Sequence, residues 1–338
     1  MNLAIIGAGL AGLAAARALA PRSDIAVTIF EKSRGPGGRA ATRRRDGFTF
    51  DHGAQLFKLP TPALRDLVER TLPTEGLFTI DLPVWVFDSA GSIAPGDPQQ
   101  NDETSYSYRD GISQLGKLLA EGLDVRCETR VVSLASAGAG YTLRDTDGRD
   151  HAGFDAVLLT APAPQTAEIL AASAIDEPRK QALLAALGPV SYRRCLSFAL
   201  AYPAPLERPW YAVVNNDRGH PMAWLAREQA KNPGRVPDGH SLLIAQMAPG
   251  WSVERWDTPP DLAAAEVHTM AAALLGEPLP APLWVDRQGW RYGLPSGKAS
   301  FEALNDGGDG LYFAGDFTEG AGRAHLAIES GWRAASLI

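Results

Sequence analysis

Three glycines near the start of the chain have the spacing that the pyrophosphate of a dinucleotide requires. Gly7, Gly9 and Gly12 form the pattern G-x-G-x-x-G, in which the first glycine permits a tight turn and the second lets the backbone approach a phosphate. Glu31 follows 19 residues after Gly12, at the distance where a carboxylate accepts hydrogen bonds from a ribose. The pattern predicts a dinucleotide site but does not decide between FAD and NAD.

The residues around these glycines predict the elements that would position such a site. NLAII at 2–6 is a short apolar strand, an alanine-rich helix follows to Ala20, and AVTIFE at 26–31 is a second strand that ends in Glu31. A phosphate at the start of this helix would meet free backbone N–H groups and the positive end of the helix dipole. A signal peptide or a membrane helix is disfavoured because no basic residue precedes the run, and Arg17 and the glycines interrupt it. The remaining alternative is a tight strand–helix turn without a ligand.

Composition and charge favour a globular protein with a small-molecule partner. Hydrophobic residues make up 45% of the 338 residues and charged residues 21%, as in ordinary soluble domains. The net charge of −7 argues against nucleic acid or an anionic membrane as a partner. Cys127 and Cys195 form no metal or redox motif, and no cluster of metal ligands is present, so we expect a reduced cytoplasmic protein without a metal.

Further motifs identify the dinucleotide more closely. Gly37-Gly38-Arg39 forms a glycine turn, FDHGAQLF occupies 50–57, and GLYFAGDFTEGAGRAHLAIESGWRAASLI at 310–338 places Gly315-Asp316 between a buried-strand pattern and a long helix. In this order the motifs resemble the flavin-containing amine oxidase superfamily. WLAREQAKNPGR at 224–235, APGWS at 248–252 and WRYGLP at 290–295 resemble, more narrowly, the renalase-like bacterial proteins. Two departures are DRQGW at 286–290, where a His-Arg often precedes the tryptophan, and Leu56, where an aromatic residue is usual.

The resemblance implies an FAD cofactor. The Gly-Gly-Arg turn would lie against the FAD pyrophosphate, Asp316 near the ribityl chain, and the last helix would point its N-terminus at the flavin, where it stabilises negative charge on the reduced ring. FAD is expected to be held without a covalent bond, because family members that use a cysteine carry it late in the chain and none follows Cys195. The residues implied to bind the cofactor are Gly7, Gly9, Ala11, Gly12, Glu31, Lys32, Gly38, Arg39, Asp51, His52, Gly53, Ala54, Val131, Gly315, Asp316, Gly322 and Ala324.

The expected fold is α/β, with a Rossmann-type FAD-binding domain of the p-hydroxybenzoate hydroxylase and amine oxidase type and a second, mainly antiparallel α+β substrate domain. We assign 1–57, 104–165 and 285–338 to the FAD-binding domain, and 58–103 and 166–284 to the substrate domain. Within them the patterns predict an amphipathic helix at 111–123, a hairpin-like pair of strands at 124–135 and 141–148, and a buried strand that begins near 154. Short strand-like runs predict an antiparallel sheet at 193–202, 210–214, 222–227 and 241–248.

The resemblance implies an oxidase that returns isomeric (2- or 6-) dihydro-NAD(P) to NAD(P)+, with O2 reduced to hydrogen peroxide. Trp290 and Tyr292 are expected to line the substrate side of the flavin, and Gln55 is the third residue assigned to catalysis. Oxidation of a dihydropyridine releases no proton, so positioning would suffice without a general base. An oxidase of small amines and an FAD-binding protein without turnover stay open as alternatives, as do the preference for NAD or NADP and the electron acceptor.

Overall fold

The computed structural model of the protein describes residues 1–138 and 140–338, with the side chain of Pro233 left out. Within these residues the strands are β1 Asn2–Ile6, β2 Ala26–Phe30, β3 Thr42–Arg45, β4 Phe48–Asp51, β5 Leu77–Thr79, β6 Val84–Phe87, β7 Ile93–Ala94, β8 Tyr106–Tyr108, β9 Asp124–Arg126, β10 Val131–Ala137, β11 Gly140–Asp145, β12 Asp150–Phe154, β13 Ala156–Leu159, β14 Ser191–Tyr202, β15 Ala212–Asn215, β16 Met222–Arg227, β17 Ser241–Met247, β18 Trp284–Ser296 and β19 Leu311–Phe313. The α-helices are α1 Leu10–Leu19, α2 Pro62–Asp66, α3 Pro98–Asp102, α4 Ser113–Ala120, α5 Ala163–Ala171, α6 Glu177–Leu187, α7 Pro249–Glu254, α8 Pro260–Leu275, α9 Phe301–Asn305 and α10 Ala324–Ala335.

The chain forms two compact units, which we call unit 1 and unit 2. Unit 1 contains 1–40, 113–192 and 294–338, and unit 2 contains 41–112 and 193–293. The assignment of these parts to an FAD-binding and a substrate domain stays a prediction.

Unit 1 is built on a five-stranded parallel sheet in the order β19-β13-β1-β2-β9. Its central strands β1 and β13 are buried along almost their whole length, as expected for parallel strands that are covered on both faces. Helix α1 packs closely on α10, because a Cβ on Gly331 would lie 2.2 Å from the Ala11 carbonyl oxygen. The predicted strand–turn–helix at the start of the chain is confirmed.

An antiparallel sheet in the order β10-β11-β12 completes unit 1. The single strand predicted at 124–135 is wrong. Its first part is β9, which pairs in parallel with β2, and only β10 pairs with β11. The two parts separate because the chain turns between Cys127 and Arg130, where Thr129 N–H donates to the Glu31 carbonyl oxygen at 2.8 Å.

Unit 2 is built on a seven-stranded sheet in the order β18-β14-β17-β16-β15-β6-β7. The pairs β14–β17, β17–β16 and β16–β15 are antiparallel, as predicted, whereas β15 pairs in parallel with β6. One face of this sheet packs on α8 through Phe198, Leu225 and Val267, and the other face packs on Phe48 and Phe50. The hairpin β3–β4, which carries those two phenylalanines, ends at Asp51.

Candidate functional site

The glycine loop between β1 and α1 leaves space beside Gly9 that no protein atom fills. A Cβ on Gly12 would lie 2.1 Å from the Gly7 carbonyl oxygen, so the packing of the loop itself requires Gly12. A Cβ on Gly9 would meet nothing within 4 Å, and Gly9 has an ordinary φ of −75°. None of the described residues therefore requires a glycine at position 9, and the close approach of a phosphate to the backbone stays the predicted reason for it.

The first turn of α1 is open to an anion. Gly9 is the N-cap and supplies no side-chain acceptor, and the first intrahelical hydrogen bond runs from Leu13 N–H to the Gly9 carbonyl oxygen at 3.0 Å. The backbone N–H groups of Leu10, Ala11 and Gly12 precede that bond and are left for a ligand or water. Together with the helix dipole they suit a phosphate group.

Glu31, which is predicted to bind a ribose, lies next to this turn. Its carboxylate is buried and accepts hydrogen bonds from Ala8 N–H and Ser33 N–H, each at 2.8 Å. A carboxylate has about four acceptor positions, so two remain for the hydroxyls of a ribose. The neighbouring Lys32 donates to Gln165 Oε1 at 3.1 Å, and burial lowers the pKa of its amine.

The Gly-Gly-Arg turn meets both the glycine loop and the end of the chain. Gly37 pairs with Gly9 in a short parallel bridge, and its N–H donates to the Ala8 carbonyl oxygen at 2.8 Å. Arg39 forms a 2.7 Å ion pair with the buried Asp316. Burial alone would lower the pKa of Arg39, but the Asp316 carboxylate raises it above its usual value.

The other predicted cofactor residues of unit 1 lie near the end of the chain and at the start of β10. Gly315 precedes Asp316 and donates its N–H to Ser330 Oγ on α10 at 3.0 Å. Helix α10 begins at Ala324, two residues after Gly322. Val131 is buried at the start of β10. The structure therefore gathers these segments into unit 1, and their contacts with FAD stay a prediction.

Unit 2 brings Trp290 together with His52. The two rings are stacked with centroids 5.4 Å apart and an interplanar angle of 12°, and the Trp290 indole N–H donates to the His52 carbonyl oxygen at 2.8 Å. Tyr292 is two residues further along β18 and therefore lies on the same face of the strand. Burial, followed by the positive charge of Arg43, lowers the pKa of His52 to about 4, so its ring is uncharged at neutral pH.

The carboxylate of Asp51 is hydrogen-bonded on both oxygens inside unit 2. Its Oδ1 accepts from Thr42 Oγ1 at 2.7 Å and from Ile112 N–H at 2.8 Å. Its Oδ2 accepts from Lys231 Nζ at 3.0 Å and from Arg235 at 2.6 Å. These four donors fill the acceptor positions of the carboxylate, and a contact between Asp51 and the cofactor stays a prediction.

The amide of Gln55 is also engaged inside unit 2. Its Nε2 donates to the carbonyl oxygens of Asp51 at 2.6 Å and of Gly53 at 3.1 Å, and its Oε1 accepts from Lys231 at 3.4 Å. Gly53 accepts a further hydrogen bond from Gln246 Nε2 at 2.6 Å. This geometry holds the loop from Asp51 through Ala54 in one conformation, and a catalytic role for Gln55 itself stays a prediction.

Sequence reasoning missed the partners of Asp51. The fully buried Lys231 and Arg235 pair with its carboxylate, and the fully buried Glu228 pairs with both of these cations. All three lie in the WLAREQAKNPGR motif, where an acidic residue precedes a basic residue by three positions directly after a buried strand. That spacing was the available signal, because charges so close to a core strand need partners.

The residues that the structure describes contain neither a membrane-spanning helix nor a cluster of metal ligands. None of the described helices combines the length and the apolar character of a membrane span. Across residues 1–138 and 140–338, no group of three or more His, Cys, Asp or Glu side chains is placed to hold a metal ion.

Comparison with known proteins gives two family matches that together cover most of the chain. Residues 78–338 match the family described as flavin containing amine oxidoreductase, and residues 5–71 match the NAD(P)-binding Rossmann-like domain. Among curated proteins, the 4,4'-diapophytoene desaturases of Staphylococcus haemolyticus and Staphylococcus aureus are 48% identical over 60 residues. This match spans 18% of the chain and only 12% of the length of those relatives.

Solved structures share the whole fold at low sequence identity. A protoporphyrinogen oxidase candidate from Exiguobacterium sp. 255-15 has a TM-score of 0.78 at 18% identity, over 99% of this chain and 98% of its own. Cyclohexylamine oxidase from Brevibacterium oxydans IH-35A has a TM-score of 0.76 at 14% identity, with the same coverage. A double mutant of putrescine oxidase has a TM-score of 0.75 at 16% identity, also over 99% and 98% of the two chains. At these identities the likeness establishes the fold.

Proposed function

The chain belongs to the flavin-containing amine oxidoreductase family, and we propose that it is a renalase-like FAD-dependent oxidase that converts isomeric dihydro-NAD(P) to NAD(P)+. When bound, FAD supplies a hydride acceptor and passes the two electrons to O2, which yields hydrogen peroxide. The residues proposed to hold it are the glycine loop with the first turn of α1, Glu31 for the ribose, and the Arg39–Asp316 pair. The open space beside Gly9 and the two remaining acceptor positions of Glu31 fit that group.

The stacked Trp290–His52 pair is the observation that carries the choice of substrate. Both rings are planar and uncharged at neutral pH, and a planar dihydronicotinamide gains about 0.5–1.5 kcal/mol from offset stacking beyond its burial. Trp290 and Tyr292 would orient the ring so that the hydride on its misreduced carbon leaves as the ring becomes an aromatic pyridinium. No proton is released in that step, so these residues need only to bind and orient.

The carboxylates around Trp290 favour this substrate over a protonated amine. Asp51 has its four acceptor positions filled, and Asp286, on the same strand as Trp290, is paired with Arg43. Neither of these two carboxylates is left uncompensated for a cationic alkylamine. Oxidation of a small neutral amine is the second candidate, which the oxidase fold of cyclohexylamine oxidase and putrescine oxidase supports.

Anaerobic mixing of the purified holoprotein with candidate substrates tests the proposal. The 2- and 6-dihydro isomers of NADH and NADPH are each expected to bleach the flavin absorbance and to leave NAD(P)+. Cyclohexylamine and putrescine serve as the amine panel, and ordinary NADH is the matched control. Bleaching by an amine alone would favour the second candidate, whereas a flavin that none of them reduces would identify a binding protein without turnover.

A further inference from the structure

Four buried charges form what we call the Asp51 cluster, made up of Asp51, Glu228, Lys231 and Arg235. Each of these side chains has an exposed fraction of 0%. Two are acidic and two basic, so the cluster is neutral when all four are ionised. Buried ion pairs of this kind give little net stability over apolar residues of similar volume, because the cost of removing the charges from water offsets their attraction. A role other than stability would therefore account for the cluster.

Lys231 contacts three side-chain oxygens, two in the cluster and one in the adjoining loop. Its Nζ lies 3.0 Å from Asp51 Oδ2, 3.1 Å from Glu228 Oε2 and 3.4 Å from Gln55 Oε1. The contacts with Asp51 and Gln55 are hydrogen bonds, and the contact with Glu228 is an ion pair. Lys231 is thus tied both to the side chain of Asp51 and to the residue that closes the following loop.

Arg235 fixes the other side of the cluster. Its guanidinium binds Asp51 and Glu228, and it also donates to Ser107 Oγ at 2.9 Å and to the Tyr108 carbonyl oxygen. Arg235 therefore anchors the cluster to β8. Lys231, in contrast, contacts Gln55 in the loop at 52–55.

The loop that begins at Asp51 is held through its backbone carbonyl oxygens. The oxygen of Asp51 accepts from Gln55, that of His52 accepts from Trp290, and that of Gly53 accepts from Gln55 and Gln246. The His52 ring stacks on the same tryptophan. A continuous path of contacts therefore runs from Lys231, through Asp51 and Gln55, to His52 and the indole of Trp290.

We propose that Lys231 is a positioning residue that holds Trp290 in place through Asp51, Gln55 and the His52 carbonyl oxygen. The inference rests on the proposed function in one respect, because it takes Trp290 as the residue against which the dihydronicotinamide ring stacks. The proposed role of Lys231 requires no contact with the substrate. Its contribution is to fix the peptide whose oxygen receives the indole N–H.

A double-mutant cycle between Lys231 and Trp290 tests the proposal in the holoprotein. Lys231→Met alone leaves an unpaired buried carboxylate and risks loss of the fold, so the variant used combines Lys231→Met with Glu228→Gln, which keeps Asp51 paired with Arg235. Trp290→Phe keeps an aromatic ring but removes the indole N–H. Lys58→Met is the matched control, since Lys58 is a lysine of the same unit whose ion pair, with Glu103 at 2.9 Å, lies outside the Asp51 cluster.

The substrate dissociation constant from anaerobic flavin reduction is the first readout. The Lys231/Glu228 variant is expected to weaken 6-dihydro-NAD binding about tenfold when Trp290 is present and less than twofold in the Trp290→Phe background. Lys58→Met is expected to change it less than twofold in both. An equal loss in both backgrounds, or no loss in a folded variant, would overturn the proposal, because a general structural effect does not depend on the indole.

The urea midpoint of unfolding is the second readout and needs no substrate. Trp290→Phe is expected to lower the midpoint less in the Lys231/Glu228 variant than in the wild type, because the contact it removes is already loosened there. Equal shifts in the two backgrounds would contradict the path from Lys231 to Trp290. If no dihydronicotinamide reduces the flavin, the proposed function fails, while this readout still decides whether Lys231 holds Trp290.

Discussion

Replacing Gly9 by alanine separates the requirements of the fold from those of the cofactor. Gly9 has a φ of −75°, which any residue adopts, and a Cβ there meets no protein atom within 4 Å. Loss of a glycine from the unfolded chain stabilises the fold by about 0.4–1 kcal/mol. Alanine is a poorer N-cap than glycine by an amount on the order of 0.5–1 kcal/mol, so these effects nearly cancel. We expect the free energy of unfolding of the apoprotein to change by less than about 1 kcal/mol.

The same methyl group occupies the space proposed for the FAD pyrophosphate. Displacing the phosphate from one backbone N–H at the start of α1 loses a hydrogen bond to a charged group, which contributes about 1.5–3 kcal/mol. Since 1.4 kcal/mol corresponds to a factor of ten, the Kd for FAD should rise about 10- to 150-fold.

Two measurements on the apoprotein check this prediction. Urea unfolding gives its stability, and titration with FAD, followed by quenching of flavin fluorescence, gives the Kd. Gly250→Ala is the control for a tolerated methyl group, because a Cβ there also meets nothing within 4 Å. Gly12→Ala is the control for a steric clash, because its Cβ would lie 2.1 Å from the Gly7 carbonyl oxygen, and it should destabilise the apoprotein. Wild-type FAD affinity in Gly9→Ala, or a large loss of its apoprotein stability, would refute the reasoning.

The other predictions concern the cofactor linkage, the aromatic wall and pH. FAD should be released into the supernatant on acid precipitation, because no cysteine follows Cys195 in the sequence; flavin fluorescence that stays in the pellet would show a covalent bond. Trp290→Ala should raise the substrate KM about twofold to tenfold, from the loss of about 0.5–1.5 kcal/mol of stacking, while FAD retention stays unchanged; equal loss of both would indicate a packing role. The pKa of His52 is about 4 when folded, against an ordinary 6.5, so the unfolded chain takes up the proton first. The free energy of unfolding that depends on an uncharged His52 is therefore fully present above pH 6.5 and is lost as the pH falls towards 4. Between pH 7 and pH 5 the wild type should lose about 2 kcal/mol more than His52→Phe in urea unfolding, and equal losses would contradict the depressed pKa.

Local patterns in the sequence predicted the part of unit 1 that depends on neighbouring residues. The glycine spacing, the flanking strands and helix, and Glu31 at the end of β2 all lie within 31 residues. Their geometry follows from backbone turns and hydrogen bonds between adjacent elements. The Arg39–Asp316 pair joins residues 277 positions apart, and only the motif order of a family resemblance placed those two residues at one site.

Contacts between distant segments account for what the sequence could not predict. The carboxylate of Asp51 accepts from four donors on separate segments, which belong to Thr42, Ile112, Lys231 and Arg235. The spacing of Glu228 and Lys231 after a buried strand indicates charges that need partners, but it does not identify Asp51 as the partner. The strand at 124–126 was misassigned for the same reason, since its partner is β2 rather than the neighbouring β11.

Anaerobic reduction of the holoprotein by 6-dihydro-NAD tests the central claim most directly. One equivalent of 6-dihydro-NAD is expected to bleach the flavin absorbance and to form one equivalent of NAD+. Admission of O2 should then restore the colour and yield one equivalent of hydrogen peroxide. Under the same conditions ordinary NADH and cyclohexylamine should leave the flavin oxidised. A flavin that stays oxidised with both dihydro isomers, or that cyclohexylamine bleaches in their place, would contradict the claim.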